Sequence, residues 1–291
     1  ISAFVSIVFI YKSARFMFDK FPSFIASVFA IVTMQLAFDY GNYVEEYALP
    51  FISIALYYFT KYYFGETKQL KSYEVMITGM CFGSTLLLRP NMFGLFAGFC
   101  LVIFITCIKN KEWKPLLRYI LFFLLGAIII IIPFIIYLGV NGALSEFINQ
   151  YLLFNSNYAT ETVSIKQSIK HLMSMMKVEF IWLPLAASVL FLFTKRGNEK
   201  YNYYVSWFLS LCFSVLFIIG ASRYYLHYAI VLFPLFIPVL GEISQYLFDK
   251  IKSNAKPLIA GIALSLVLCI VFFNPIVSGI QRIRKYINSP E

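Results

Sequence analysis

The chain has 291 residues, of which 60% are apolar, 19% aromatic and only 13% charged, against an apolar share of roughly 45–50% in soluble domains. Thirty-two Phe and 21 Tyr beside 24 Lys+Arg and 14 Asp+Glu leave too little polar surface to cover a water-soluble globule of this size, so most of the chain must face lipid or other apolar helices. The net charge of +10 has no soluble basic domain to sit on, which argues against nucleic acid as a partner.

Cut at its charged residues, the sequence gives charge-free runs over 21–38, 47–60, 75–88, 90–108, 119–145, 180–194, 203–222, 224–241 and 257–281. A bilayer crossing takes roughly 20 residues, and the shorter runs approach that length when flanking Lys or Glu side chains snorkel. Nine complete spans are predicted, with residues 1–11 as about half of a tenth. The expected fold is therefore an all-α integral membrane protein, a polytopic bundle of about ten transmembrane segments forming a single domain over 1–291. Because the sequence opens on Ile1 in mid-span, a first helix and a first external loop are expected upstream.

Basic residues in short loops sort to the cytoplasmic side. One set of alternate loops holds sixteen Lys and Arg, in 12–20, 61–71, 109–118, 195–200 and 250–256, and the other set holds eight. The first set is thus expected in the cytoplasm and the second outside the plasma membrane. The external loop 141–177 has internal order. Leu144, Phe147, Ile148, Tyr151 and Leu152 share one helical face, as do Ile165, Ile169, Leu172, Met173 and Met176, which predicts two helices lying in the outer interface around a loop at Asn155 to Tyr158. Cys81, Cys100, Cys107, Cys212 and Cys269 all fall in apolar runs with no Cys-x-x-Cys pair, so they read as small buried hydrophobes, not as a metal site or disulfide frame.

Ionisable groups are costly in a membrane, and their placement is informative. Outside the basic loops they gather at one leaflet: Asp39, Glu45 and Glu46 in the outer turn before 47–60, Arg89 in the tight hairpin Arg89-Pro90-Asn91, and Arg223 and His227 in 221–228. Each has a plainer reading. Glu45 and Glu46 fit solvated loop acids, Arg89 fits a snorkelling cation, and His227 and His171 fit interfacial or solvated histidines. Their coincidence in short turns beside aromatics suits a phosphate-bearing lipid, with arginine on phosphate and a carboxylate for proton or hydroxyl chemistry.

The order Gly41-Asn42-x-x-Glu45-Glu46-Tyr47, then Arg89-Pro90-Asn91, then Phe154-Asn155-x-Asn157-Tyr158, then Ser222-Arg223-Tyr224-Tyr225-x-His227-Tyr228 resembles bacterial GT-C polytopic membrane glycosyltransferases, the group of protein O-mannosyltransferases and aminoarabinose transferases. The resemblance implies an enzyme that moves a sugar from a polyprenyl-phosphate donor to a lipid, glycan or protein acceptor on the external face. It implies supporting acids at Glu45 and Glu46, and substrate contacts from Arg89, Asn91, Arg223, Tyr225, His227, Asn155 and Tyr158. The family's main base lies in the first external loop, which this sequence does not contain, so the 291 residues alone are expected to be inactive. Arginine or a divalent cation would neutralise the departing phosphate, and membrane lipids are the other expected partners. Two rivals remain: a lipid-linked glycan flippase or other transporter, for which inverted repeats and midplane charges are expected but not visible, and a noncatalytic scaffold.

Overall fold

A computed structural model of the chain describes residues 1–34, 37, 42–153, 181–220 and 225–253, with single positions at 170, 173, 259, 262, 266, 277, 281 and 284. Among these residues every regular element is helical. The order is α1 (Ser2–Ala14), α2 (Lys20–Met34), α3 (Val44–Phe64), α4 (Ser72–Leu88), a 3-10 turn (Pro90–Met92), α5 (Gly94–Lys109) and α6 (Trp113–Val140). A short α7 (Leu144–Glu146) then runs into a π-helical segment (Phe147–Leu153), and after a gap come α8 (Trp182–Thr194), α9 (Tyr201–Gly220), a 3-10 helix (Leu226–Phe236) and α10 (Ile237–Lys252).

Three described stretches are long and apolar enough to cross a membrane: Trp113–Val140, Tyr201–Ile219 and His227–Lys252, with mean hydropathies of 3.0, 1.7 and 1.7. Ser2–Ala14, Lys20–Met34, Ser72–Leu88, Gly94–Lys109 and Trp182–Thr194 are apolar but shorter. Helix α3 has 21 residues, yet five tyrosines and end charges dilute its apolar character. Of the expected ten segments, three thus meet the length and composition of a span, and 257–281 lies almost wholly outside the described residues.

Two boundaries move from their expected places. Helix α6 begins at Trp113, ahead of the run 119–145, so Lys114 and Arg118 ride on its first turns. The last described helix passes residue 241 and continues to Lys252, because the sequence beyond 241 is amphipathic: Ser244 and Phe248 are buried, while Glu242 meets Lys195 at 2.7 Å. In 141–177 the first expected interfacial helix is a single α turn followed by π-helix, not a continuous α-helix. The wider π turn sets Phe147 and Tyr151 face to face at 4.9 Å, and Phe147 also meets Phe134 of α6. The second stripe and the loop at Asn155 to Tyr158 lie outside the described residues, apart from positions 170 and 173.

Lipid tails are as apolar as Leu, so helices in a membrane associate through close packing rather than through exclusion of water. Two seams do this here. A methyl group built on Gly79 of α4 would sit 2.0 Å from the Phe123 carbonyl oxygen of α6, and one on Gly126 of α6 would sit 2.0 Å from the Met76 carbonyl oxygen. In the same way Gly94 and Gly98 of α5 leave room only for Ser214 and Ser210 of α9. Helix α1 lies along α3, α2 lies along α10, and α3 also touches α4, α5, α9 and the 3-10 helix. Helix α6 buries only Leu116, Gly126 and Ala127, so beyond its seam it presents its surface outward.

Buried hydroxyls close onto their own helices. Ser6, Ser13, Ser27, Ser53, Thr78 and Thr85 each donate to the carbonyl four residues earlier, which satisfies them without a partner helix. Charges sort to the ends. Lys61 pairs with Glu74, Lys68 with Glu199 at 2.9 Å and Gln245 with Asp19 at 3.1 Å, so the basic turns meet at one end. The turns before α3, after α4 and before the 3-10 helix meet at the other.

The seams generate a test. Gly98→Leu should abolish folded protein, since its new side chain meets Ser210 backbone, whereas Gly139→Ala, with nothing within 4 Å, should be tolerated and gain up to about 1 kcal/mol from helix propensity. Monodisperse yield in detergent and the melting midpoint check both.

Candidate functional site

The cluster at the end opposite the basic turns starts with a turn. Asn42 takes φ 67°, a left-handed conformation that Asn adopts more readily than most residues, and its Oδ1 accepts a 2.6 Å hydrogen bond from the Tyr47 hydroxyl. This aims α3 inward. On its first turn the two expected acids part company. Glu46 Oε1 accepts the Tyr43 N–H at 3.2 Å, capping the helix. Glu45 turns into the bundle, is buried, and places Oε1 2.6 Å from Arg89 Nη1.

Arg89 ends α4 in extended backbone, φ −164° and ψ 124°, as the following Pro90 requires. That geometry swings its side chain away from the helix axis. Its Nη2 donates to the Tyr228 hydroxyl, and the guanidinium also lies 4.2 Å from the Tyr228 ring centre, a cation–π distance. Burial works against the Arg89 charge, but Tyr228 and Glu45 outweigh it and hold the guanidinium above its ordinary range.

Beside this pair, aromatic rings stack. His227 lies 3.8 Å from Tyr43 at an interplanar angle of 5° and 5.2 Å from Tyr225 at 20°, between the two tyrosines, with Tyr228 edge-on at 4.9 Å. Tyr225 is 42% exposed and closes the stack toward the protein surface. Asn91, in the 3-10 turn, keeps its Oδ1 buried with no hydrogen-bond partner among the described residues. Tyr151 reaches over from the π-helical segment, donating its hydroxyl to the carbonyls of Leu86 and Leu87 at 2.7 and 3.1 Å, next to Arg89.

Of the residues singled out in the sequence, the structure thus gathers Glu45, Glu46, Arg89, Asn91, Tyr225 and His227 at one end, with Glu46 turned to capping. Arg223, Asn155 and Tyr158 lie outside the described residues, as does Asp39. His227 stands in a 3-10 helix rather than an α-helix. Tyr43, Tyr151 and Tyr228 were not among the candidate site residues, although Tyr151 stood in the apolar stripe of 144–152 and Tyr228 closed the last motif. Tyr228 adjoins His227 and Tyr43 precedes Glu45, so nearness along the chain to a charged candidate was the available signal. Among the described residues no three His, Cys, Asp or Glu side chains converge to hold a metal ion.

Chemically, the arrangement offers a planar cation fixed on two sides, a carboxylate that orients it, an amide acceptor unfilled among the described residues and aromatic faces of which that of Tyr225 is exposed. Breaking a buried ion pair by removing one partner costs about 3–5 kcal/mol, and the partial exposure of the Arg89 side chain points to the lower end. Arg89→Ala and Glu45→Ala should each lower the unfolding free energy by about 3 kcal/mol, and the double variant by clearly less than their sum. A double-mutant cycle on denaturation midpoints reads the coupling directly.

Residues 1–256 match the family model described as "Putative competence-induced protein Ccs4 N-terminal domain". The chain belongs to that family. No curated protein and no solved structure matches it.

Proposed function

We propose that this chain is the polytopic core of a bacterial membrane glycosyltransferase, with about ten segments in the plasma membrane, its basic turns in the cytoplasm and its Glu45–Arg89–Tyr228 cluster facing outside. In this reading the cluster takes the phosphate of a polyprenyl-phosphate sugar donor, and the tyrosine-flanked His227 with exposed Tyr225 receives the sugar. The observation that carries it is the meeting of three sequence-distant turns around Arg89, at 2.6 Å from Glu45 and hydrogen-bonded to Tyr228. A guanidinium held flat matches phosphate in bidentate fashion. Charge stabilisation on a departing phosphate is where such a group does most for transfer.

The chain's family is described by induction in competence, which would set when such an enzyme is made and leaves its reaction to be found from the site. The acceptor, whether lipid, glycan or protein, would approach from outside. The proton it loses would pass to a base outside this cluster, with Glu45 orienting Arg89 rather than acting as the base. The same geometry also fits a purely architectural tie, because Glu45 is buried and both terminal nitrogens of Arg89 are engaged.

Tyr225 separates the two. It is partly exposed and stands outside the ion pair, so Tyr225→Ala should shift the melting midpoint far less than Arg89→Ala does. Binding of a short polyprenyl phosphate to the complete protein in nanodiscs should nonetheless weaken roughly five-fold, the worth of one aromatic contact. Polyprenol without phosphate should bind wild type no better than it binds Arg89→Lys. Equal binding of the phosphate and the bare alcohol by wild type would leave the architectural tie as the role of the cluster.

A further inference from the structure

A second feature lies toward the basic end, away from the outer cluster. The seams that clamp α4 on α6 and α5 on α9 pull α5 and α6 toward different partners, and the two helices touch each other only lightly. Between them is a cleft of about 390 Å³, within the roughly 300–1,000 Å³ of ligand pockets. Its floor includes Val75 and Thr78 of α4, and Leu101, Phe104, Ile120 and Leu124 line it while also standing exposed on the outer surface. The cleft is therefore open sideways, between two apolar helices.

Apolar cavities of this kind do not hold water, and a lipid tail is as apolar as the walls. Any selection among lipids must then come from the headgroup. At the basic end of the cleft the α5–α6 turn and the start of α6 carry Lys109, Lys111, Lys114 and Arg118, against the single acid Glu112. Among the described residues none of these four cations is in an ion pair, although Lys61, Lys68 and Lys195 elsewhere at this end all are. Arg118 Nη2 donates to the carbonyl of Leu70, a residue of the cleft wall, at 3.1 Å. That bond fixes the guanidinium beside the cavity. Exposed Trp113 at the head of α6 suits the headgroup level of a membrane.

We propose that the α5–α6 cleft takes one acyl chain of an anionic phospholipid from the leaflet at the basic end, with its headgroup phosphate against Arg118 and the lysines of the α5–α6 turn. This assignment is independent of the glycosyltransferase reading, since it uses neither the outer cluster nor the donor lipid.

The test is retention. The purified full chain, extracted from vesicles of equimolar phosphatidylglycerol and phosphatidylcholine with matched acyl chains, is weighed by native mass spectrometry. Wild type should keep phosphatidylglycerol in preference to phosphatidylcholine. Arg118→Gln, and separately the exposed Lys114→Gln, should each lower that preference about five-fold, as expected for one cation at an anionic lipid surface. Leu101→Trp, which sets an indole across a surface-exposed part of the mouth, should remove retention of both lipids with the melting midpoint unchanged. Equal retention of the two lipids by wild type, an undiminished preference in both charge variants, or full retention in a folded Leu101→Trp would each overturn the proposal.

Discussion

Hydrocarbon offers no hydrogen bonds and no hydrophobic gain between helices, and the architecture follows from these two facts. Ser6, Ser13, Ser27, Ser53, Thr78 and Thr85 close back on their own helices and so neither require nor specify a neighbour, while Ser210 of α9 donates across to the Leu95 carbonyl of α5. Specification passes to the places where a side chain is missing. Gly79 and Gly126 let α4 and α6 touch backbone to backbone, and Gly94 and Gly98 do the same for α5 against the serines of α9. Arg89 sits in the link between α4 and α5, five residues before Gly94. Its location is therefore set by two seams at once, and Tyr228, eight residues beyond the end of α9 at Gly220, is brought to it by the second of them.

The Glu45–Arg89 pair gains sense from that setting. Taking both charges out of water costs several kcal/mol per ion, and their attraction repays it only with good geometry and further hydrogen bonds. Arg89 has both, through a 2.6 Å contact to Glu45 and the Tyr228 hydroxyl. A well-packed apolar pair would hold the three turns together as well, so stability alone does not account for ionic groups here. What the ions add is a guanidinium plane with a fixed direction, at the end of the bundle that also holds the Asn91 amide oxygen, without a hydrogen-bond partner among the described residues, and an imidazole stacked on Tyr43 and Tyr225. Orientation of this kind matters to a ligand more than to a fold.

Composition and charge periodicity made the helical class legible, and the grouping of Glu45, Arg89 and His227 followed from loop alternation. The seams were also written in the sequence, as Gly79-x-x-x-Gly83, Gly94-x-x-x-Gly98 and Ser206-x-x-x-Ser210-x-x-x-Ser214. Charge-based cutting overlooks them because it treats all apolar positions alike. The division of labour between Glu45 and Glu46 was not legible. Adjacent residues on a helix point about 100° apart, and which one faces inward depends on where the turn at Asn42 starts α3. The extension of α10 past residue 241 was hidden for a related reason: Glu242 and Gln245 break an apolar run without breaking a helical face. The π-helical register at Phe147–Leu153 goes with ring stacking of Phe147 on Tyr151 and the Tyr151 hydrogen bonds to α4, the latter long-range contacts that local apolar spacing does not encode.

The two ends of the bundle handle charge in opposite ways, and this governs what each can bind. At the end opposite the basic turns Arg89 is already engaged, so an anion arriving there must share or displace Glu45 or Tyr228. The net gain is small and depends on fit, which favours discrimination over affinity. At the α5–α6 turn Lys109, Lys111 and Lys114 are exposed and in no ion pair among the described residues, and Arg118 is held by a carbonyl rather than a carboxylate, so an anion adds to a standing positive field without breaking an ion pair. Attraction there is broader in specificity and weakens as salt screens it. The same glycine seams produce both situations: by clamping α4 and α5 onto different partners they converge the turn at Arg89 and, on the far side of those helices, open the gap in front of Arg118.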